Sequence, residues 1–204
     1  MFKEILYENQ LCTIGILKIF SKNFYLAGGT AIALQLGHRK SLDFDLFSSK
    51  KIDNTKILAK LKENGYIVNR ILVDNKGEEL TIISGGVKII FLYYPFQVKK
   101  GLIFEGISLP DILILGAMKF YTLGRRGKWK DYVDIYHIFK SGYTLKDIST
   151  LAESVFQGGY NEKLLREQLC YFEDIDYTEE VEYMHEKIED KEIQKYLCTV
   201  AINE

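Results

Sequence analysis

Apolar residues recur at helical spacing from the start of the chain: Phe2, Ile5 and Leu6, then Cys12, Ile16, Ile19 and Phe20. Steps of three and four put them on one face, which predicts a helix over 2–21. The period then shortens. Phe24-Tyr25-Leu26-Ala27 reads as a short strand ended by Gly28-Gly29. Thr30 is expected to cap a short helix, Ala31 to Leu36, that Gly37 stops. After a polar turn, His38 to Ser41, residues Leu42 to Leu46 alternate apolar and acidic, the period of a strand. Residues 54–63 return to helical spacing, with Asn54 as a cap. Three strand-like segments follow, Tyr66 to Val73, Glu79 to Ile83 and Val87 to Tyr94. Asp74-Asn75-Lys76-Gly77 and Ser84-Gly85-Gly86 have the residues of hairpin turns. A short strand at Leu102 to Phe104 completes the predicted sheet.

Beyond about residue 107 the hairpin signals stop. Ser108-Leu109-Pro110-Asp111 looks like a helix start, and helical patterns run over 109–123, 129–140, 144–155, 160–171 and 178–200. The expected fold is therefore α+β: a mixed β-sheet with flanking helices over 1–106, then a helical half over 107–204.

Composition narrows the class. At 47% hydrophobic and 27% charged residues the chain can fill a core, so disorder is not expected. A formal net charge of −1 excludes a globally basic nucleic-acid binder. The three cysteines, Cys12, Cys170 and Cys198, are far apart and lack zinc-ligand spacing. They fit a reducing cytoplasm. No stretch approaches the ~20 apolar residues of a membrane span. Glu4, Glu8 and Lys18 make the N-terminal segment a helix and not a signal peptide.

Asp43 and Asp45 are two apart on a predicted strand, so both carboxylates point to one face, opposite Leu42, Phe44 and Leu46. Two such charges repel, and a divalent cation relieves the repulsion; oxygen ligands of this kind suit Mg²⁺ or Mn²⁺ bridging to phosphate. Gly28-Gly29 lets backbone approach a phosphate, and the helix start that follows favours an anion. A lone Asp-x-Asp or Gly-Gly is unspecific; their order and spacing together are not. An EF-hand is excluded, because Leu46-Phe47 follow where that loop needs glycine and further acids.

A second cluster lies in the helical half. Lys119 precedes Arg125-Arg126-Gly127-Lys128-Trp129-Lys130-Asp131, and Asp134 is one turn beyond Asp131. The cations suit a basic lip for triphosphate or nucleic acid; a solvated loop balanced by two acids has the same spacing. The acidic run from Glu173 to Glu182 reads as a solvated helix start.

The stretch from Leu26 through Gly28-Gly29-Thr30 to Arg39-Lys40-Ser41 and Asp43-Phe44-Asp45 resembles motif I of the AbiEii/AbiGii toxin family, within the DNA polymerase β-like nucleotidyltransferase superfamily. Lys119 followed by the basic loop and Lys-Asp-x-x-Asp resembles that family's second region. The resemblance implies a nucleotidyltransferase-like sheet and a metal on Asp43 and Asp45. It also implies an NTP held by Gly28, Gly29, Thr30, Arg39, Lys40 and Ser41. Lys119 would touch phosphate, Asp131 or Asp134 would join the site, and Arg126 and Lys130 would lie beside it. It further implies NMP transfer to a tRNA 3′ end, another RNA or a protein hydroxyl, by a toxin with a cognate antitoxin. One departure stands out: many superfamily members carry a third acid on a later strand as general base, and Val87 to Tyr93 has none. Two alternatives therefore stand beside the transferase: a non-catalytic nucleotide-, RNA- or partner-binding module, and a kinase-like phosphotransferase.

Overall fold

A computed structural model describes residues 1–123 and 125–203. The predicted N-terminal helix is broken: after a 3-10 turn at Lys3–Ile5 come α1 (Glu8–Thr13) and α2 (Gly15–Phe20). The break has a local cause. Gln10 turns back to accept from the Tyr7 backbone N–H, which starts a new helix at that point.

The sheet is built from β1 (Tyr25–Ala27), β2 (Asp43–Ser48), β3 (Val68–Asn75), β4 (Glu79–Ser84) and β5 (Val87–Tyr93). Its order is β1-β2-β5-β4-β3. Only β2 and β5 run parallel, with Asp43 in register with Lys88 and Asp45 with Ile90. The β4–β5 hairpin turns at Gly85-Gly86, both at positive φ as a tight hairpin turn demands. Side chains along β2 alternate, so Phe44, Leu46 and Ser48 are buried on one face and Asp43, Asp45 and Phe47 line the other. The buried face packs on the N-terminal helices and α4 (Asn54–Glu63). There Phe20 meets Phe91 edge-on at 4.8 Å and Phe24 meets it at 5.3 Å.

The opposite face of the sheet is partly covered by α3 (Gly28–Leu36) and by the helical half. That half contains α5 (Ile112–Leu123), α6 (Trp129–Lys140), α7 (Leu145–Phe156), α8 (Glu162–Cys170) and α9 (Asp190–Asn203). α5 starts later than expected. Residues Ile107–Leu109 form a strand, β7, paired with β6 (Leu102–Phe104), and Asp111 then caps the helix by accepting from the Ile114 N–H at 3.0 Å. One continuous apolar core runs from Ile5 through Phe44 and Leu115 to Ala201.

Residues 178–189, expected to be helical, are not. The acids at 179, 182 and 186 would stack at i,i+3 and i,i+4 on a helix and repel one another. The backbone is used otherwise. Lys40 N–H donates to Glu182 O and Met184 N–H to His38 O, while Trp129 N–H donates to Asp176 O and Asp176 N–H to Gly127 O. The segment is a strap joining the β2 side of the molecule to the start of α6.

Candidate active site

Asp43 and Asp45 project from β2 into a cleft between the sheet and the helices α5 and α6. Their environments differ. Asp43 is half-open and pairs with Lys88 Nζ at 2.6 Å. Asp45 lies deeper, against the backbone of Gly28, where an added Cβ would come within 1.9 Å of Asp45 Oδ2. Gly28 also sits at φ +67°, a region closed to most side chains, so two demands select glycine here. Burial, reinforced by the charge of Asp43, pushes the Asp45 carboxyl up to about 6.

The far wall is built around a charge inside a helix. α5 is apolar on nearly all sides and buried, yet carries Lys119 at its centre. A buried ammonium requires partners. It finds Asp131, in a short ion pair, and Asp134 Oδ2 at 2.8 Å, both presented one turn apart by α6. Asp134 is fully buried and also receives Arg39 Nε at 2.8 Å, Arg39 Nη2 at 2.9 Å and His38 Nε2 at 2.8 Å. Asp131 receives Arg126 Nε at 3.0 Å. Burial alone would drive Lys119 toward neutrality; Asp131 and Asp134 outweigh it and hold the ammonium above the ordinary lysine range. Burial likewise opposes both carboxylates, but the surrounding cations win and hold Asp131 low and Asp134 well below the usual range. Burial also keeps His38 neutral to lower pH than usual. Two acids thus face three permanent cations, and the surplus positive charge borders Asp45.

The cleft has two lobes that share Asp45, Ile90, Lys119 and Arg126. One, about 270 Å³, is lined by aromatic and aliphatic side chains, among them Phe47, Tyr94, Tyr121 and Met118, with Glu79 and Arg125 at its edge. Arg125 lies flat on Tyr121, 3.6 Å from the ring centroid. Among the described residues the buried Tyr94 hydroxyl there has no hydrogen-bond partner. The other lobe is lysine-rich, with Lys88, Lys128 and Lys130 beside Asp43.

Most of the residues singled out from sequence converge here, though some take other places. Gly28, Gly29, Ser41, Asp43, Asp45, Lys119, Arg126, Lys130 and Asp131 line the cleft. Thr30 is not the helix cap, since α3 already begins at Gly28. It is buried in the first turn, where its hydroxyl bonds Ser41 Oγ at 2.6 Å and the Asp43 carbonyl, and so pins β2 to α3. Arg39 reaches the cleft wall with its guanidinium committed to Asp134. Lys40 turns away, its Nζ 4.7 Å from the centroid of the Tyr7 ring. Lys88, Glu79 and Glu179 were not anticipated. For Lys88 a signal existed: two residues from Ile90 on a strand beside β2, it had to share a face with Asp43.

Among the described residues no three or more His, Cys, Asp and Glu side chains converge on one point. A divalent cation held by Asp43 and Asp45 would complete its shell from phosphate and water, as Mg²⁺ commonly does. Two same-face carboxylates, one with its pKa raised by burial and then by the other's charge, fit such an ion.

Comparison with known proteins places this architecture first by class. The fold is shared, at a TM-score of 0.64 and 14% identity over 95% of this chain and 82% of the other, with MenT4, a nucleotidyltransferase toxin of Mycobacterium tuberculosis H37Rv. It is shared also with the protein JHP933 of Helicobacter pylori, at a TM-score of 0.55 and 18% identity over 96% and 91% of the two chains. An uncharacterized protein of Aquifex aeolicus (strain VF5) is 28% identical over 186 residues, 86% of this chain and 88% of its own. The fold is thus that of a nucleotidyltransferase. Residues 15–112 match the family described as nucleotidyl transferase AbiEii toxin, type IV toxin–antitoxin system.

Proposed function

We propose that the protein transfers NMP from an NTP to a hydroxyl of an RNA, with the tRNA 3′ end as the leading acceptor, as the toxin of a toxin–antitoxin pair. The observation that carries this reading is the junction of the two lobes: Asp43 and Asp45 on one wall, Lys119 and Arg126 on the other. The aromatic lobe suits the base and sugar of the donor, and the lysine lobe suits an acceptor strand. Gly28 and Gly29, at the start of α3, offer backbone N–H groups to phosphate.

A Mg²⁺ or Mn²⁺ ion on Asp43 and Asp45 would supply Lewis-acid stabilisation of the reacting phosphate oxygens. The acceptor hydroxyl attacks the α-phosphorus, the new P–O bond forms, and pyrophosphate leaves. Lys119 and Arg126 meet the charge that grows on the leaving group. Asp131 has its oxygens engaged by those two cations, so we assign it to positioning them and not to proton abstraction. With no acid on 87–93, the hydroxyl proton passes to solvent. Lys88 must yield its ion pair with Asp43 for the cation to bind.

The same Lys88–Asp43 pair favours a second reading, a binding module that has kept the fold and lost the chemistry. Incubation with each α-labelled NTP, Mg²⁺ and total RNA, beside an Asp43→Ala/Asp45→Ala variant, separates the readings. Label moved to RNA and lost in the variant is expected. Nucleotide binding without transfer would favour the binding module, and transfer only of a γ-label would favour a phosphotransferase.

A further inference from the structure

The strap between α8 and α9 does more than join two elements. Its ties lie at Asp176, hydrogen-bonded to Gly127 and Trp129, and at Glu182 and Met184, hydrogen-bonded to Lys40 and His38. Tyr177 stacks on Trp129 with ring centroids 5.1 Å apart. Between the ties the chain turns Glu179 into the lysine lobe. One carboxylate oxygen forms a short ion pair with Lys128, and the other lies 3.2 Å from Lys130 Nζ.

Lys128 and Lys130, at the start of α6, thus converge on an anion beside the metal-binding carboxylates. One charge spread over two oxygens and met by two ammonium groups is also the pattern of a phosphodiester. The Glu179 side chain is 38% exposed and that of Lys128 36%, so solvent and ligand reach the pair. Ion pairs at this exposure are weak and exchange readily. Hydrogen bonds from Lys128, then from Lys130, pull the Glu179 carboxyl down to about 2, so it stays charged at working pH and leaves by competition, not by protonation.

We infer that Lys128 and Lys130 form a phosphate subsite for the backbone of a single-stranded acceptor RNA, and that Glu179 fills this subsite in the free protein and is displaced when the RNA arrives. The inference deepens the proposed function and rests on its assignment of the lysine lobe to the acceptor. Glu179 then sets how tightly acceptor binds, because every RNA phosphate that docks must first break its ion pairs.

The test measures anisotropy of a labelled mixed-sequence RNA of about twelve nucleotides, and separately binding of a fluorescent NTP, in the full chain. Glu179→Gln should tighten RNA binding by roughly three- to tenfold and steepen its salt dependence, because two lysines become free to neutralise phosphate. It should leave NTP affinity unchanged. Adding Lys130→Gln should remove the gain. Lys130→Gln alone should weaken RNA binding, which tests the subsite even where a Glu179 variant fails to fold. RNA binding unchanged or weaker in a folded Glu179→Gln protein would overturn the inference and leave Glu179 as a staple for the strap. Tighter NTP binding without tighter RNA binding would overturn it too, giving the lysines to the donor triphosphate. Nucleotidyl transfer by the wild type, measured alongside, keeps these failures distinct from a failure of the proposed activity.

Discussion

Asp134 touches three basic side chains at once, His38, Arg39 and Lys119, and none of its surface is exposed. Removing it would leave the buried Arg39 guanidinium without its carboxylate and Lys119 with Asp131 alone. Asp134→Ala should therefore cost about 3–5 kcal/mol of unfolding free energy, read by urea denaturation. Asp43 is its opposite: half-open, with one half-buried partner. Asp43→Ala should stay within about 1 kcal/mol of the wild type while transfer falls by about a hundredfold or more. Asp45 makes a third case. Burial raises its folded pKa above the unfolded value of 3.8 to about 6. A raised carboxyl pKa means that the fold favours the protonated form. The charged form therefore destabilises the protein fully above about pH 6, and the penalty vanishes below the unfolded value. Without divalent cation, Asp45→Asn should thus be more stable than wild type at pH 8 by about 1–2 kcal/mol. The two proteins should melt together near pH 3. A lower melting temperature for the variant at pH 8 would refute this account of Asp45.

At the scale of elements, β2 and α3 form a unit in which backbone and side chain fit too closely for substitution. A methyl group on Gly28 would collide with Asp45 and force a disfavoured φ. Gly28→Ala should lower transfer about a hundredfold through a displaced carboxylate, with the circular dichroism spectrum retained. The same unit shows what a sequence can reveal. Alternation over 42–46 placed both aspartates on one face because a strand's period is local. Gly37 ended α3 and Gly85-Gly86 turned a hairpin because each depends on a few adjacent residues. Where partners are distant the pattern misled: Pro110 and Asp111 marked the start of α5 but hid β7, whose pairing with β6 lies outside any local period. The strap was read as a helix because its backbone partners are His38, Lys40, Gly127 and Trp129. Lys119 and Asp131 were singled out by resemblance; that Asp131 is engaged by Lys119 and Arg126 could come only from the packing of α5 on α6.

Over the whole molecule, one core passes through both halves, and Lys119, Asp131 and Asp134 are buried where the halves meet. The division at residue 106 is a change of secondary structure; the core does not stop there. Heating should give a single calorimetric transition with equal calorimetric and van't Hoff enthalpies. Residues 1–106 alone should remain largely unfolded, since α3 would lose the apolar cover of α5. Two separated transitions, or a cooperatively folding fragment, would contradict this. Among the described residues no helix is long and apolar enough to cross a membrane.

The cleft is assembled from parts made at very different times. Asp43 and Asp45 leave the ribosome early, Lys119 and Asp131 much later, and the strap with Glu179 nearly last. At roughly 5–20 residues per second, on the order of ten seconds separates the two carboxylates from the strap. For much of that interval the growing chain carries Asp43 and Asp45 without Lys119 and Arg126 on the facing wall. The proposed transfer to RNA therefore has no complete cleft to run in while the chain is still attached to a machine made of RNA. Should an antitoxin act on the nascent chain, it would meet a cleft not yet closed.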